Sequence, residues 1–294
     1  MKPWHLLMLL AFNVVWGGTF VVYKQVGPYL DYQGIVTVRF SIAALGALLL
    51  WPLLPGRAPR GWDFVKAAVM GVLVFVIGHR LQVYGNALGT AGNSAVLMAA
   101  EPPMASVAAA LFLREHVPAR RWLGFALAAF GVLLLNSVWR ADFQWASLTA
   151  SAFLLLSFLG ENAYAIIGKP LIQRAGVGKV LGVALIAALA VNLALASQPT
   201  LDAVRALPAS AWFLLAIMGL VATLGGYAAW FLVIREADVS LVSLTIFVQP
   251  IVGVPLAAWW LGEPLHWGQL WGTLAIVAGV IVGLELRTKP VIPK

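Results

Sequence analysis

Residues 98–115 read MAAEPPMASVAAALFLRE, and residues 246–263 read IFVQPIVGVPLAAWWLGE. Laid over each other at an offset of 148, they pair Pro102 with Pro250, Leu113 with Leu261 and Glu115 with Glu263. The register continues outward, to Gly71 with Gly219, Gly78 with Gly226, Gly124 with Gly272 and Gly131 with Gly279. The chain therefore reads as two related halves, 1–140 and 141–294. Both stretches are apolar yet hold helix-breaking prolines, and such an element needs an unusual solvent or unusual neighbours.

The solvent is lipid. Of 294 residues, 62% are hydrophobic and only 10% charged, and the mean hydropathy is +0.93. A soluble domain carries about 25% charged residues and could not hide so much apolar surface. With no cysteine in the chain, disulfides, thiolate nucleophiles, Cys-ligated zinc and iron–sulfur clusters are excluded. A helix needs about 20 apolar residues to cross the hydrocarbon. Ten such runs fall near 4–23, 32–51, 62–85, 91–113, 120–138, 145–167, 178–197, 209–234, 239–261 and 267–286. The first follows Lys2 but has no small-x-small cleavage site leading into a polar mature domain, so it is expected to be a retained helix rather than a signal peptide.

Five helices per half is an odd number, so the second half must enter the membrane inverted. That is the architecture of secondary transporters, with the site near the midplane between the halves. Lys and Arg are distributed accordingly. Fourteen lie on the side of the termini: Lys2, Arg57, Arg60, Lys66, Arg114, Arg120, Arg121, Lys169, Arg174, Lys179, Arg235, Arg287, Lys289 and Lys294. Only Lys24, Arg140 and Arg205 lie opposite, with Arg39 and Arg80 inside helices. The positive-inside rule then puts both termini in the cytoplasm; the expected location is a bacterial-type inner membrane. The net charge of +8 is explained by topology and anionic lipid, not by nucleic acid.

Four prolines lie deep in helices: Pro102 and Pro103 in the fourth, Pro250 and Pro255 in the ninth. The carbonyls they free must face protein or a watery cavity, so these two helices are expected to line the cavity and to gate it.

The Trp16-Gly17 stretch leading to Lys24, Arg39-Phe40, and the repeated proline helix ending in Leu113-Arg114-Glu115 and Leu261-Gly262-Glu263 resemble the EamA type of the drug/metabolite transporter superfamily. Nearest are the YddG-like ten-helix amino-acid exporters. The resemblance covers nearly the whole chain. It implies export of small metabolites, often amino acids, by alternating access. The sixth helix matches the first only loosely, around Lys169, so residue roles do not transfer between them.

Polar and aromatic residues at helical spacing mark faces turned from lipid. The stripes are Asn13, Trp16, Gly17, Phe20 and Lys24; His79, Gln82 and Asn86; Asn93, Leu97, Glu101 and Met104; Ser157, Glu161 and Tyr164; Thr223, Tyr227 and Trp230; and Thr245, Gln249 and Val252. From them Trp16, His79, Gln82, Glu101, Tyr164, Tyr227, Trp230 and Gln249 are the expected substrate-binding residues. Glu101 stands out because its repeat mate is the neutral Gln249. A charge at the bilayer centre costs roughly 2.5–3.5 kcal/mol, so it must be paired, protonated or solvated. It could anchor a substrate ammonium, carry a proton, or pair structurally with Arg39, which counting helical rise places within about 3 Å in depth. His79 is read as a cavity residue or a satisfied structural histidine, and Arg80 as snorkelling to the interface. A substrate carboxylate would be met by Lys24, His79 or backbone donors. Trp16, Tyr164, Tyr227 and Trp230 would form an apolar wall, with belt positions the alternative. Glu115 and Glu263 are expected to brace loops or cap helices. Small-residue spacings, Gly124 with Ala128 and Gly279 with Gly283, assign helices five and ten to scaffold or a dimer contact, giving a monomer or weak homodimer.

No G-x-x-x-x-G-K-[ST] motif supports an ATP-driven pump, and no H-E-x-x-H or G-x-S-x-G supports an intramembrane enzyme. No cofactor is implied. A carrier for small neutral or hydrophobic amino acids, aromatic ones included, is the leading reading; a passive channel or facilitative pore for small metabolites or drugs is the alternative.

Overall fold

A computed structural model describes residues 2–105, 119–135, 145–237 and 239–283. Within them the chain is helical throughout, without a strand. Ten helices follow the ten apolar runs: α1 (Pro3–Val26), α2 (Tyr32–Leu49), α3 (Trp62–Leu88), α4 (91–105), α5 (Ala119–Leu135), α6 (145–174), α7 (Val177–Ala194), α8 (Ala209–Glu236), α9 (239–261) and α10 (Trp267–Gly283). A short helix at Gln198–Arg205, capped by Ser197, joins α7 to α8 outside the apolar runs. Arg114, Arg140, Leu113, Glu115, Arg287, Lys289, Lys294 and the expected boundary between the halves lie outside the described residues.

Local chemistry sets the helix starts. The Asp31 carboxylate accepts from Gly34 N at 2.8 Å and opens α2, and Thr90 Oγ1 accepts from Asn93 N at 3.2 Å and opens α4. Each supplies an acceptor for one of the backbone donors that a helix start leaves without a partner.

α1, α3, α4, α6, α8 and α9 surround the centre; α2 and α7 pack outside α3 and α8. The halves interlock, α1 against α9 and α3 against α6. Lys2 pairs with Glu236 at 3.3 Å, so the start of α1 shares a face with the end of α8. The second half thus runs opposite to the first. α1, α4 and α9 approach most closely at two glycines. A Cβ on Gly253 would lie 2.4 Å from Ala95 Cβ and 2.7 Å from Gly17 O, and one on Gly17 would lie 2.8 Å from Gln249 O. Backbone contact of this kind is how membrane helices pack without a hydrophobic driving force.

α5 and α10 pack chiefly on each other. Their crossing uses Gly131 and Gly272, where a Cβ would come within 2.9 Å of the opposing backbone. The small-residue pairs expected at this contact start from Gly124 and Gly279, which are buried. The side chains of Ala128 and Gly283 lie outside the described residues.

Two departures from regular α-helix recur at related places. α3 widens into a π-helix at Leu73–Gly78 and α8 at Ile217–Gly225; α6 does so at Tyr164–Gly168. α4 and α9 instead tighten into 3-10 turns, at Met98–Ala100 and Leu244–Phe247, just before their prolines. A proline removes one backbone bond, and the tighter i→i+3 pairing re-satisfies neighbouring carbonyls that lipid could not.

Candidate functional site

At the centre lies a cavity lined by Trp16, Thr19 and Phe20 of α1, Arg39 of α2, His79 and Gln82 of α3, Met98 and Glu101 of α4, Glu161 and Tyr164 of α6, Tyr227 and Trp230 of α8, and Ile246 and Gln249 of α9. All eight expected binding residues are among them. The lining is pseudo-symmetric. At the offset of 148, His79 matches Tyr227, Gln82 matches Trp230, Met98 matches Ile246 and Glu101 matches Gln249; at 145, Trp16 matches Glu161 and Thr19 matches Tyr164. Equivalent positions carry different chemistry, and Arg39 adds a cation from a helix that contributes nothing else to the lining. Every lining side chain except Trp16 is buried. The cavity has about 50 Å³ of solvent-accessible space, enough for about three or four waters. A larger cleft of about 340 Å³ opens between α3 and α6, but its lining is apolar apart from Lys66 and Arg174 near one membrane face. Convergent polar groups single out the central cavity.

The two carboxylates are held differently. Tyr164 Oη donates to Glu101 at 3.1 Å, and Gln82 Nε2 donates to Glu161 at 2.6 Å. Arg39 Nε donates to Thr223 Oγ1 at 2.9 Å and its Nη1 to the Tyr23 hydroxyl, while its guanidinium lies 5.1 Å from the centroid of the Phe40 ring. Gln249 Nε2 donates to Asn13 Oδ1 at 2.8 Å, and Asn13 Nδ2 donates to Thr245 Oγ1 at 3.0 Å. Trp16, Tyr164, Tyr227 and Trp230 form a ring cluster with centroid separations of 5.7–6.4 Å. Trp16 Nε1 donates to Ala222 O at 2.8 Å. Trp230 Nε1 is buried with no partner among the described residues. Such orphan donors are uncommon and call for an explanation.

The π-helical stretches shape this wall. His79 Nδ1 lies 2.8 Å from Val74 O, and Thr223 Oγ1 donates to Met218 O at 2.9 Å, both reaching back five residues. The carbonyl can only accept, so His79 carries its proton on Nδ1 and leaves Nε2 as an acceptor when neutral. Among the described residues no group of three His, Asp or Glu could hold a metal ion.

Several expectations require correction. Glu101 and Arg39 do not form an ion pair; equal depth does not fix which way a side chain turns, and Arg39 turns to Tyr23 and Thr223. Lys24 does not face the cavity. Its Nζ donates to Gly89 O at 2.6 Å and Ala87 O at 3.1 Å, at the end of α3. Arg80 is tethered rather than snorkelling free, donating from Nε and Nη2 to Asn192 Oδ1 of α7 at 3.2 and 3.1 Å. Pro255 is exposed, whereas Pro102, Pro103 and Pro250 are buried. Asn86 and Asn93 bond Phe20 O and Gln269 behind the cavity. Met98 lines the cavity in place of Leu97 because the 3-10 turn rotates α4. Glu161 and Arg39 belong to the lining but not to the expected binding set. Their signal was present, since an ionisable group within a membrane helix is a functional candidate by default.

The sequence model of the EamA-like transporter family matches residues 3–137 and 148–284. The chain belongs to this family. One relative of this EamA-like transporter is the uncharacterized transporter YyaM of Bacillus subtilis, 25% identical over 94% of this chain and 92% of its own. Another is the uncharacterized inner membrane transporter YedA of Escherichia coli K12, 24% identical over 95% and 89%. A third, from Streptantibioticus cattleyicolor, is named "probable terminal-alkyne amino-acid exporter" and is 24% identical over 92% and 89%. A solved crystal structure superposes with a TM-score of 0.64, covering 96% of both chains at 15% identity, which shows that the fold is shared. This EamA-like transporter is thus a multi-pass membrane protein of two repeats.

Proposed function

We propose that this transporter exports small neutral or hydrophobic amino acids, aromatic ones included, and related amine-bearing metabolites, by alternating access through the central cavity. It would do so from a bacterial-type inner membrane, with both termini cytoplasmic. One observation carries the reading: Glu101, Glu161, Arg39, a Trp230 N–H with no partner among the described residues and a four-ring aromatic wall share one buried cavity. The carboxylates suit an ammonium, which the rings also attract. Arg39 and Trp230 Nε1 suit a carboxylate, a role neither Lys24 nor neutral His79 can take. Gln82, His79 and Gln249 complete the polar lining. With both glutamates and Arg39 ionised the cavity carries one net negative charge, which a proton or an ammonium neutralises. The relative named as an amino-acid exporter supports the same substrate class.

Transport requires the cavity to widen, because an amino acid does not fit where about three or four waters do. Pro102, Pro103 and Pro250 lie beside the 3-10 turns of α4 and α9, where a change between 3-10 and α pairing alters helix direction at small cost. Pro255, turned outward, would act only through the shape of α9.

A substrate panel on purified protein in liposomes, with and without a pH gradient, tests the proposal. Saturable uptake of amino acids with accelerated counterflow is expected. Flux that rises without saturation would support a passive channel, and inertness towards every amine-bearing compound would reject the substrate class.

A further inference from the structure

Lys24 and Lys169 occupy related places at opposite faces. Lys24 stands at the end of α1 and donates to Gly89 O, the cap of α3, at 2.6 Å. Lys169 stands near the end of α6, the counterpart of α1, and donates to Ala237 O, the cap of α8, at 3.0 Å. Residues 89 and 237 are repeat mates at the offset of 148, and α8 is the counterpart of α3. The two lysines are offset by 145, the same shift that relates Trp16 to Glu161 and Thr19 to Tyr164. Sequence registration at 148 therefore hides the correspondence.

Each lysine sits on the terminal carbonyls of a helix, where backbone acceptors have no helical partner and the dipole favours a cation. At the Lys24 face the grip is two-sided. Glu263, beyond α9, accepts from Ala91 N at 2.8 Å and Gly92 N at 2.9 Å, the first amides of α4. Lys24 is within electrostatic reach of Glu263. Between them they hold both ends of the Gly89-Thr90 turn and fasten α3–α4 to α1 and α9.

We propose that Lys24 and Lys169 are the latches of the two gates. Lys24, with Glu263, closes the cavity towards one face, and Lys169 closes it towards the other. Both contacts are formed in the structure, and each half-cycle of transport releases one. The inference extends the alternating-access reading but needs no knowledge of the substrate.

The absence of native cysteine makes the test clean. A single cysteine replacing the cavity residue Thr19 is reacted with a membrane-impermeant thiol reagent from either side of oriented vesicles. Lys24→Met is expected to speed labelling from the Lys24 face by about ten- to a hundredfold, the equilibrium shift that loss of a charge-assisted hydrogen bond brings. Lys169→Met is expected to speed it from the other face. Lys24→Arg and Lys169→Arg, which keep a donor and a charge, should restore most of the slow labelling. A merely structural role predicts lower thermal stability without this opposite sidedness. Labelling that rises equally from both faces, or is unchanged in both methionine variants, overturns the proposal. If a methionine variant fails to fold, the arginine variants decide: labelling as fast as in an open cavity would count against the latch. Loss of amino-acid transport with intact sidedness would reject the substrate reading alone.

Discussion

In the proposed function Glu101 meets the ammonium and Trp230 Nε1 the carboxylate, and substitutions at the two separate these roles. Glu101→Gln keeps the size of the side chain and an acceptor for Tyr164 Oη, so the fold should persist. Ammonium binding should weaken by about ten- to a hundredfold, or about 1.5–3 kcal/mol, as read by isothermal titration with an amino acid. Unchanged affinity with a lost pH response would make Glu101 a proton site instead. Trp230→Phe removes a donor that has no partner among the described residues, so stability should stay within about 1 kcal/mol. Affinity for an amino acid should fall while that for the decarboxylated amine holds, and an equal fall for both would exclude Trp230 from carboxylate binding. The sequence exposed these residues because buried polar groups in an apolar helix announce themselves. It did not reveal that Arg39 turns away from Glu101, since the rise along a helix fixes depth and leaves direction to the neighbours.

The elements that place these residues are irregular in matching pairs: π-helices in α3 and α8, 3-10 turns before the prolines of α4 and α9. The prolines were legible from their letters alone. The widened and tightened turns were not, because they answer to contacts such as Thr223 with Arg39 that only the assembled bundle provides. Replacing Pro102 and Pro250 together by alanine should leave a folded protein with transport lost or severely slowed, and unimpaired counterflow would show the kinks to be incidental. Packing makes a sharper demand at Gly253. A methyl group there meets Ala95 Cβ at 2.4 Å and Gly17 O at 2.7 Å, so Gly253→Ala must push α9 from α1 and α4. Overpacking of this kind costs about 1–3 kcal/mol, visible as a lower melting temperature in detergent.

On the scale of the whole molecule, the faces are fixed relative to one another before their sides are assigned. The Lys2–Glu236 pair sets the start of α1 beside the end of α8, and the Lys24 and Glu263 contacts mark the opposite face. The two halves were legible from the repeated proline helices, whereas α6 matched α1 only loosely around Lys169, and the cavity lining and the contacts of Lys24 and Lys169 fix that shift. Absolute orientation rests on charge: fourteen Lys and Arg against three, a bias that retains positive loops on the cytoplasmic side. Arg205 closes the short helix between α7 and α8, and Arg174 ends α6 on the other face; both are exposed. A cysteine at Arg205 should therefore react with an impermeant reagent in intact cells, and one at Arg174 only after the membrane is opened. Tags on both termini should behave like Arg174. The reverse pattern would turn the bundle over while keeping every internal contact, and the latch at Lys24 would then face the cytoplasm. Labelling of both cysteines in intact cells would be incompatible with five helices in each half.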